Sequence, residues 1–401
     1  MSRYRLTPTP AQEAVLREHC AHARFVWNLC VEQESWWRPG RGSVPGWAQR
    51  SRQLTEARAV EPWLAAGSAM VQQQALRDYG QSMDAFYAGS CGKPSWRRAK
   101  RSEGFRVVGV RGSKAHSSWD VRRVSRKVGE VRVPKVGWVR FRWSRAVPAD
   151  AKSYRVNMDR AGRWHVAFAV IPAPVDGPGT GEVVGIDRGV TVSAALSTGE
   201  MLKAPRLSPG RHAREVRLQR KLERAERGSN RRAQVRLDLA RLRARGRDAR
   251  KDWTEKLSTD IARRFDLIRV EDLNVENMTS RPAAKPDPGR AGAFLPNRAR
   301  AKAGLNREIR ASGWGTLVRR LKDKAPGRVE KVNPAYTSQT CNACGHCEKG
   351  NRESQAFLCL ACGHRDHADV NAARNIAAGH AVTARGGLAL AGPVNREPRA
   401  A

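Results

Sequence analysis

The chain has 401 residues, of which 75 are Lys or Arg and 38 are Asp or Glu, so its formal net charge at pH 7 is +37. A charge kept only for solubility is usually about 2 to 8 on a small domain, so the excess indicates a polyanionic partner, with nucleic acid the expected one. No apolar run reaches bilayer-spanning length and no hydrophobic signal or basic amphipathic anchor follows Met1. We therefore expect no membrane association, but a cytoplasmic protein that is nucleoid-associated when bound to DNA.

The first predicted region is helical. Thr9 followed by Pro10 is typical of a helix start, because threonine caps the helix and proline suits its first turn. Apolar residues then recur at helical spacing, at Leu16, Cys20, Ala23, Val26, Trp27 and Cys30, and a similar stretch covers residues 68–86. The pattern predicts a small helical domain with Cys20 and Cys30 as core residues.

Short alternating segments follow between residues 92 and 171. They lie at 107–110, 131–133, 139–143, 154–158 and 164–171, and Gly and Pro residues separate them. Such alternation, broken by turn residues, predicts an antiparallel β barrel or sandwich. The Pro- and Gly-rich segment 172–181 has the composition of a linker.

A strongly basic helical segment lies between two further strand patterns. Residues 183–200 predict two strands and 267–273 a third, while residues 203–251 carry 18 Lys or Arg and only five Asp or Glu. A solvated helix pair would suffer repulsion among these cations, so we expect the segment to face a nucleic-acid backbone. The candidate contacts are Arg217, Arg220, Lys221, Arg224, Arg231 and Arg232, and residues 228–230 read as a turn between two helices.

The last predicted elements surround a cysteine-rich segment. A helix is expected over residues 307–324, a strand over 329–332 and a terminal helix over 370–378, with a frayed tail beyond 384. Five of the eight cysteines lie between them, which favours metal binding over a disulfide framework.

Four of these cysteines predict a zinc site. Cys341 and Cys344, fourteen intervening residues, and then Cys359 and Cys362 form two C-x-x-C pairs, and the gap is one residue short of the usual range. Four thiolates complete the tetrahedral shell of one Zn²⁺ and leave no open position, so the ion would be structural. The alternative ligands are Cys347, His346 and His364.

Three acidic residues predict a second metal site. Asp187 and Glu271 each end an apolar strand, and Asp369 precedes the terminal helix, which it would cap. Neighbouring strands bring such carboxylates together at one sheet edge, where they would hold two Mg²⁺ ions for phosphodiester hydrolysis. Asp366 is the alternative third acid, and Asp272 should face the other side of its strand.

At these residues the sequence resembles the TnpB family, insertion-sequence proteins that are similar to compact type V CRISPR effectors. The matching segments are Gly185-Ile-Asp-Arg-Gly189, Val270-Glu-Asp-Leu-Asn274, Asn333-Pro-Ala-Tyr-Thr-Ser-Gln-Thr-Cys341, Cys359-Leu-Ala-Cys-Gly363, Asp366-His-Ala-Asp-Val-Asn-Ala-Ala-Arg-Asn-Ile376, Tyr4-Arg-Leu-Thr-Pro-Thr-Pro-Ala-Gln12 and Phe25-Val-Trp-Asn28. The resemblance implies a DNA endonuclease directed by a guide RNA to target DNA, with Asp187, Glu271 and Asp369 as its catalytic acids.

The resemblance also implies a multidomain α/β fold with an RNase H-like (RuvC-like) nuclease domain. The expected divisions are an N-terminal segment with a helical recognition domain (1–90), a β-barrel wedge domain (91–176), the nuclease domain (182–384) with a zinc-ribbon insertion (337–366), and a disordered tail (385–401).

Three other functions remain open at this point. The chain could be a compact type V CRISPR effector with the same chemistry, a non-catalytic nucleic-acid-binding regulator, or a transposase that joins strands itself. All three acids of the family pattern are present, which favours an active nuclease.

Overall fold

The computed structural model describes residues 2–38, 40, 44–101, 103–109, 120–290 and 292–379. The chain forms two compact units, one made of residues 1–172 and 214–244 and the other of 173–213 and 245–401. The predicted tail at 385–401 and the end of the predicted nuclease domain at 380–384 lie outside the described residues. Among the described residues, no helix has both the length and the apolar character needed to cross a membrane.

The first unit contains four helices and seven strands that precede residue 172 in the described ranges. They are β1 (Ser2–Arg5), α1 (Pro10–Ser35), α2 (Trp47–Val60), α3 (Pro62–Ala66), α4 (Ala69–Tyr87), β2 (Gly104–Val108), β3 (Val121–Arg123), β4 (Val128–Val133), β5 (Gly137–Arg142), β6 (Ser153–Met158) and β7 (Trp164–Phe168).

Two antiparallel sheets share the core of this unit with the helices. Their strand orders are β1-β7-β6-β2 and β3-β4-β5, and a bridge between Leu6 and Phe141 joins them. The rings of Tyr4 and Phe141 meet edge to face with centroids 5.3 Å apart, and both residues are almost fully buried. The expected antiparallel β structure is confirmed, and β1 adds a strand from the very start of the chain that local pattern did not reveal.

The first long helix begins as the sequence predicts. Thr9 is the N-cap of α1, and its side chain and that of Gln12 each accept a hydrogen bond from the other's backbone N–H, at 3.3 and 3.1 Å. Cys20 and Cys30 lie on the buried face of this helix, which confirms that they are core residues.

The remaining elements form the second unit, apart from the parts of two long helices that belong to residues 214–244. They are β8 (Val183–Asp187), β9 (Ala194–Leu196), β10 (Met201–Leu202), α5 (Pro209–Arg224), α6 (Asn230–Arg264), β11 (Leu267–Glu271), α7 (Val275–Met278), β12 (Lys285–Pro286), β13 (Phe294–Leu295), α8 (Ala299–Ser312), α9 (Trp314–Lys324), β14 (Val329–Val332), a 3₁₀ turn (Lys349–Asn351), β15 (Arg352–Glu353), β16 (Ala356–Leu358), β17 (Arg365–His367) and α10 (Ala368–Ala378).

The central sheet of the second unit has the order β10-β9-β8-β11-β14. Strand β11 runs parallel to β8 and β14, while β9 runs antiparallel to β8 and β10. Successive side chains of a strand point to opposite faces, so Val184 and Ile186 pack with α6 and α9, whereas Gly185 lies against α10. The sheet is therefore covered by helices on both faces.

Two expected helices differ from the structure. The helix predicted over residues 307–324 is two helices, α8 and α9, because Gly313 between them has φ +72°, a left-handed conformation that ends α8. The basic segment forms α5 and α6 separated at residues 225–229, which confirms the predicted turn, and α6 continues to Arg264.

Candidate active site and metal centre

The ends of β8 and β11 bring two of the predicted acids side by side. These parallel strands are in register with Val270 beside Ile186, so Glu271 and Asp187 follow at the same level and on the same face. Glu271 is 8% exposed, and a hydrogen bond links the two carboxyl groups.

The third acid reaches this face because α10 lies directly on β8 at Gly185. A Cβ atom at Gly185 would lie 2.0 Å from the carbonyl oxygen of Ala373, so any other residue would push the helix away. Asp369 lies one turn before Ala373 and is 9% exposed beside Asp187. The structure thus brings together Asp187, Glu271 and Asp369.

One detail of the prediction for Asp369 is wrong. The helix begins at Ala368, so Asp369 lies in its first turn and does not cap it. The N-cap is His367, whose Nδ1 accepts a hydrogen bond from the Asp369 backbone N–H at 3.2 Å. The Asp369 carboxylate therefore does not cap the helix.

The electrostatics of the three acids suit a cation. Burial, together with the charges of Glu271 and Asp369, raises the pKa of Asp187 to about 8. Burial also raises the pKa of Glu271, although Arg188 opposes the shift. Carboxylate oxygens are the ligands that Mg²⁺ prefers, and a divalent ion would relieve the repulsion among them.

The alternative acids are engaged elsewhere. Asp272 pairs with Lys331 at 2.5 Å, and the alternation of side chains along β11 places it on the sheet face opposite to Glu271, as expected. Asp366 pairs with Arg374 at 2.7 Å on β17. Asp369, in contrast, lies near enough to Asp187 for its charge to raise the pKa of that carboxyl group.

Two arginines at this site were missed by sequence reasoning. Arg352, on β15, donates from Nη2 to Asp369 Oδ1 at 3.2 Å, and its charge also lowers the pKa of Asp187. Arg188, which directly follows Asp187, is 6% exposed and donates to the backbone carbonyl of Glu271. The sequence signal for Arg188 was its place next to Asp187, but Arg352 lies far from both strands.

The four predicted cysteines form a compact group. Their Sγ atoms all lie within 4.8 Å of one another. The Cys341–Cys362 and Cys344–Cys359 sulfur distances are 3.8 and 3.6 Å, close to the edge of about 3.8 Å that Zn–S bonds of about 2.3 Å give a tetrahedron. The set fits one Zn²⁺. In the described part of the chain Cys347, His346 and His364 do not belong to this group.

Two asparagines fasten the cysteine-bearing loop to α10. Asn371 donates from Nδ2 to the carbonyl of Thr340 at 2.7 Å, and its Oδ1 accepts from the Asn342 N–H at 3.0 Å. Asn375 donates to the same Thr340 carbonyl at 2.8 Å. These bonds tie the loop around Cys341 to the helix that carries Asp369.

The predicted nucleic-acid contacts lie on the helices α5 and α6. Arg217, Arg220, Lys221, Arg224 and Arg231 are exposed. Arg232 differs, because its Nη1 donates to the backbone carbonyls of Leu222 and Ala225, at 2.5 and 2.7 Å, and so closes the C-terminal end of α5. A structural role thus accounts for Arg232.

Three family models match the chain. They are described as "Helix-turn-helix domain" over residues 2–42, "Probable transposase" over 167–281 and "Cas12f1-like, TNB domain" over 314–376. In the described part of 2–42 the structure has the strand β1 and the single long helix α1.

Similar proteins cover almost the whole chain. An Escherichia coli (strain K12) protein named "Putative RNA-guided DNA endonuclease InsQ" is 32% identical over 99% of this chain and 96% of its own length. A Streptomyces pristinaespiralis protein named "Putative RNA-guided DNA endonuclease" is 31% identical over 96% of this chain and 90% of its own.

A solved structure agrees with the mixed α/β multidomain fold. The Cas12f1 chain of a cryo-EM structure described as a Cas12f1-sgRNA-target DNA complex matches with a TM-score of 0.51 and 14% identity, covering 92% of this chain and 83% of that one. This match shows the fold alone. The family follows from the two relatives above 30% identity over nearly the whole chain, together with the transposase model: the chain belongs to the TnpB family.

Proposed function

We propose that the protein is an RNA-guided, Mg²⁺-dependent DNA endonuclease that hydrolyses phosphodiester bonds. The observation that carries this proposal is the convergence of Asp187, Glu271 and Asp369 on one face of the sheet, in a chain of net charge +37. The acid cluster repels the nucleic acid that it must approach. Divalent cations bound by the acids would remove this repulsion, as in a metal-dependent nuclease. The names of the two full-length relatives agree with this function.

The nuclease domain of this proposal spans residues 182–384, and we assign an RNase H-like (RuvC-like) fold to its described part, residues 182–290 and 292–379. Two features support this assignment. Strands β10, β9 and β8 are antiparallel neighbours, and β11 and β14 follow parallel to β8. In addition, β8 and β11 each end in an acidic residue. The zinc ribbon would be the insertion 337–366, the wedge domain 91–176 and the recognition domain part of 1–90. The two joined antiparallel sheets of the first unit support the wedge assignment.

The three carboxylates would hold two Mg²⁺ ions through their oxygens. When bound there, Mg²⁺ supplies charge that activates water and stabilises the leaving oxygen. Asp187 is central, because its carboxyl group is hydrogen-bonded to Glu271 and repelled by Asp369. Because burial and the neighbouring acids raise the pKa of Asp187, a cation bound there would compete with a proton for its carboxyl group.

Arg352 adds a cation to this arrangement. Its guanidinium holds Asp369 in place at 3.2 Å, and its fork of N–H groups suits a phosphate oxygen as well as a carboxylate. We assign Arg352 two tasks: it orients Asp369, and it offers positive charge to the phosphate undergoing attack. The zinc ribbon would thereby contribute to chemistry as well as to stability.

The test begins with the RNA that copurifies with the protein. A discrete RNA species should be recovered and sequenced, and its variable end should direct Mg²⁺-dependent cleavage of a matching DNA duplex. The same preparation of Asp187→Ala should bind that duplex without cutting it. If the RNA is heterogeneous, or if a rewritten guide leaves the cut site unchanged, the RNA-guided part of the proposal fails.

The other candidate functions are separated by the same experiment. RNA derived from the end of a mobile element supports a transposon-encoded nuclease, while RNA derived from a repeat array supports a type V CRISPR effector. Joined strands in the products would identify a transposase. Specific binding with intact DNA in every metal tested would identify a regulator.

A further inference from the structure

The parallel ladder between β8 and β11 stops one residue before the two acids that these strands carry. Its last paired residues are Ile186 and Val270, and at the next position Asp187 pairs with β9 while Glu271 pairs with β14. At the level of the acids, each strand is therefore paired with its outer neighbour. The ladder itself does not set the distance between the two carboxylates.

The side chain of Arg188 spans this gap. Arg188 directly follows Asp187 at the end of β8, and its Nη2 donates a hydrogen bond to the backbone carbonyl of Glu271 at the end of β11. The bond joins the two acid-bearing strand ends at the point where the ladder has ended. It therefore takes the place of the next backbone pair.

Helix α9 fixes the chain on the other side of Arg188. The indole Nε1–H of Trp314, the first residue of α9, donates to the carbonyl of Gly189 at 3.1 Å, and Trp314 is buried. A Cβ atom at Gly189 would lie 2.8 Å from the carbonyl oxygen of Val192, so the turn is tightly packed. The backbone of Arg188 is thus held between a strand and an anchored turn, which limits where its guanidinium can reach.

Stability alone does not account for a charged side chain at this position. Arg188 is buried, and its Nε–H has no hydrogen-bond partner among the described residues. Burial of a guanidinium is costly, and replacing a buried ionic group with an apolar side chain of similar size often leaves a protein as stable or more stable. The negative charges that act on Arg188 are those of Glu271, Asp187 and Asp272, so the arginine serves the acidic end of the sheet.

We propose that Arg188 is a positioning residue of the metal site: it holds the ends of β8 and β11 at the separation that lets Asp187 and Glu271 bind the same divalent ions. This role rests on the proposed function for the identity of the metal ligands, and on the hydrogen bond to Glu271 for the action of the arginine. Mg²⁺ demands near-ideal octahedral geometry, so a small displacement of one carboxylate weakens its binding.

Removal of Arg188 has two effects of opposite sign on metal affinity. Loss of a nearby positive charge favours a bound cation, whereas loss of the bridge lets the carboxylates move apart and disfavours it. Partners that orient metal ligands typically contribute about 10- to 100-fold in affinity, so we expect Arg188→Met to bind metal about tenfold more weakly than the wild type. Its melting temperature should stay near that of the wild type.

Arg188→Lys is the rescue variant. The returned charge alone would weaken metal binding further, so any recovery relative to Arg188→Met reports the returned N–H donor. We expect partial recovery, because lysine is shorter and lacks the planar fork of arginine. If Arg188→Met does not fold, Arg188→Gln takes its place, since glutamine is also uncharged and its amide is too short to reach Glu271.

Arg328→Met is the matched control. Arg328 precedes β14 at the end of the sheet away from the acids, and its Nη1 donates to the carbonyls of Ala262 and Phe265, at 3.2 and 2.8 Å. It is also an arginine that joins backbone segments, but it lies far from the carboxylates. Its loss should lower the melting temperature and leave metal affinity unchanged.

The measurement is a Mn²⁺ titration of the full chain, read by electron paramagnetic resonance, because Mn²⁺ takes the same oxygen ligands as Mg²⁺. A parallel titration of Asp187→Ala gives the ions held elsewhere, including by copurified RNA, and is subtracted. If the wild type and Asp187→Ala titrate alike, the acids hold no ion, and the proposed function fails together with this role of Arg188. If the wild type binds ions at the acids but Arg188→Met binds them equally or more tightly, or Arg188→Lys binds no better than Arg188→Met, the positioning role is refuted and the proposed nuclease stands.

Discussion

The carboxylate cluster and the basic helical segment use charge in opposite ways. At the ends of β8 and β11, Glu271 and Asp369 are buried beside the half-buried Asp187, and each acid is fixed by backbone register, by α10 or by an arginine. On α5, which the structure describes in full, no residue is buried and the arginines project into solvent. Chemistry requires converging groups in a low-dielectric site, whereas attraction of a polyanion requires only charge density.

This difference predicts how each region tolerates mutation. A site built from three interlocking carboxylates has no spare member, so the loss of one should be severe. A surface that carries many exposed cations is redundant, so single losses should be mild. The following predictions run from the largest expected effect to the smallest.

The largest effect is expected at Asp187. In the proposed nuclease, Asp187→Ala would remove a metal ligand but no cation from the surface, so Mg²⁺-dependent cleavage should fall by several orders of magnitude while DNA affinity stays near that of the wild type. Single-turnover cleavage and binding assays measure the two separately. Glu271→Ala and Asp369→Ala should behave alike.

Asp366→Ala is the control for this prediction. Its carboxylate pairs with Arg374 and should be dispensable for cleavage. If Asp369→Ala cleaves normally and Asp366→Ala does not, the third ligand is Asp366 and not Asp369. Wild-type cleavage by all four variants would refute the nuclease itself.

The next largest effect is expected when the zinc centre is opened. Cys344→Ser should release about one zinc per chain and unfold the ribbon locally, because the free energy of zinc binding to the thiolates stabilises the folded ribbon. Cleavage should then fall roughly a hundredfold, since the ribbon fixes Arg352 and, through Thr340, the helix of Asp369. Zinc content by mass spectrometry and cleavage rate would be measured together. Cys347→Ser should keep both, and if it loses zinc while Cys344→Ser does not, the ligand set is wrong.

A smaller loss is expected at Arg352. Arg352→Gln removes the cation that orients Asp369, and removing such a partner of a metal ligand typically costs about 10- to 100-fold in activity or metal affinity. Arg352→Lys should recover part of the rate, because charge returns without the planar fork. Arg365→Gln, at an exposed arginine of the same ribbon, serves as control. A Mg²⁺ titration that is identical for Arg352→Gln and the wild type would argue against the assigned role.

The same contrast explains what sequence could foretell. Asp187 and Glu271 were predictable because each ends a short apolar segment, and neighbouring parallel strands were expected to bring such ends to one edge of a sheet. The cysteine pairs were predictable because zinc geometry imposes their spacing. The basic surface of α5 could be predicted from the number of its charged residues alone.

Other features depend on contacts between distant residues. Arg352 reaches the acids only after the ribbon folds and β17 leads into α10, so its position in the chain gives no hint of its role. Pairing of β1 with β7 joins residues about 160 positions apart, from Ser2 to Phe168, in a strand of only four residues. The capping role of His367 and the break at Gly313 depend on backbone angles that composition leaves open.

The smallest effect, and the sharpest test of redundancy, is expected on α5. Each of Arg217→Gln, Arg220→Gln and Arg224→Gln alone should change DNA affinity little, because neighbouring cations remain. The triple variant should weaken binding to all sequences alike and flatten the log–log salt dependence by about one unit per lost phosphate contact.

Arg232→Gln is the matched control: its guanidinium closes the end of α5, so its loss should lower thermal stability and leave the salt slope nearly unchanged. Affinities measured across a salt series, beside melting curves, distinguish the two. A triple variant with the wild-type slope would show that these arginines face away from the nucleic acid, and the exposed charge of α5 would then need another partner.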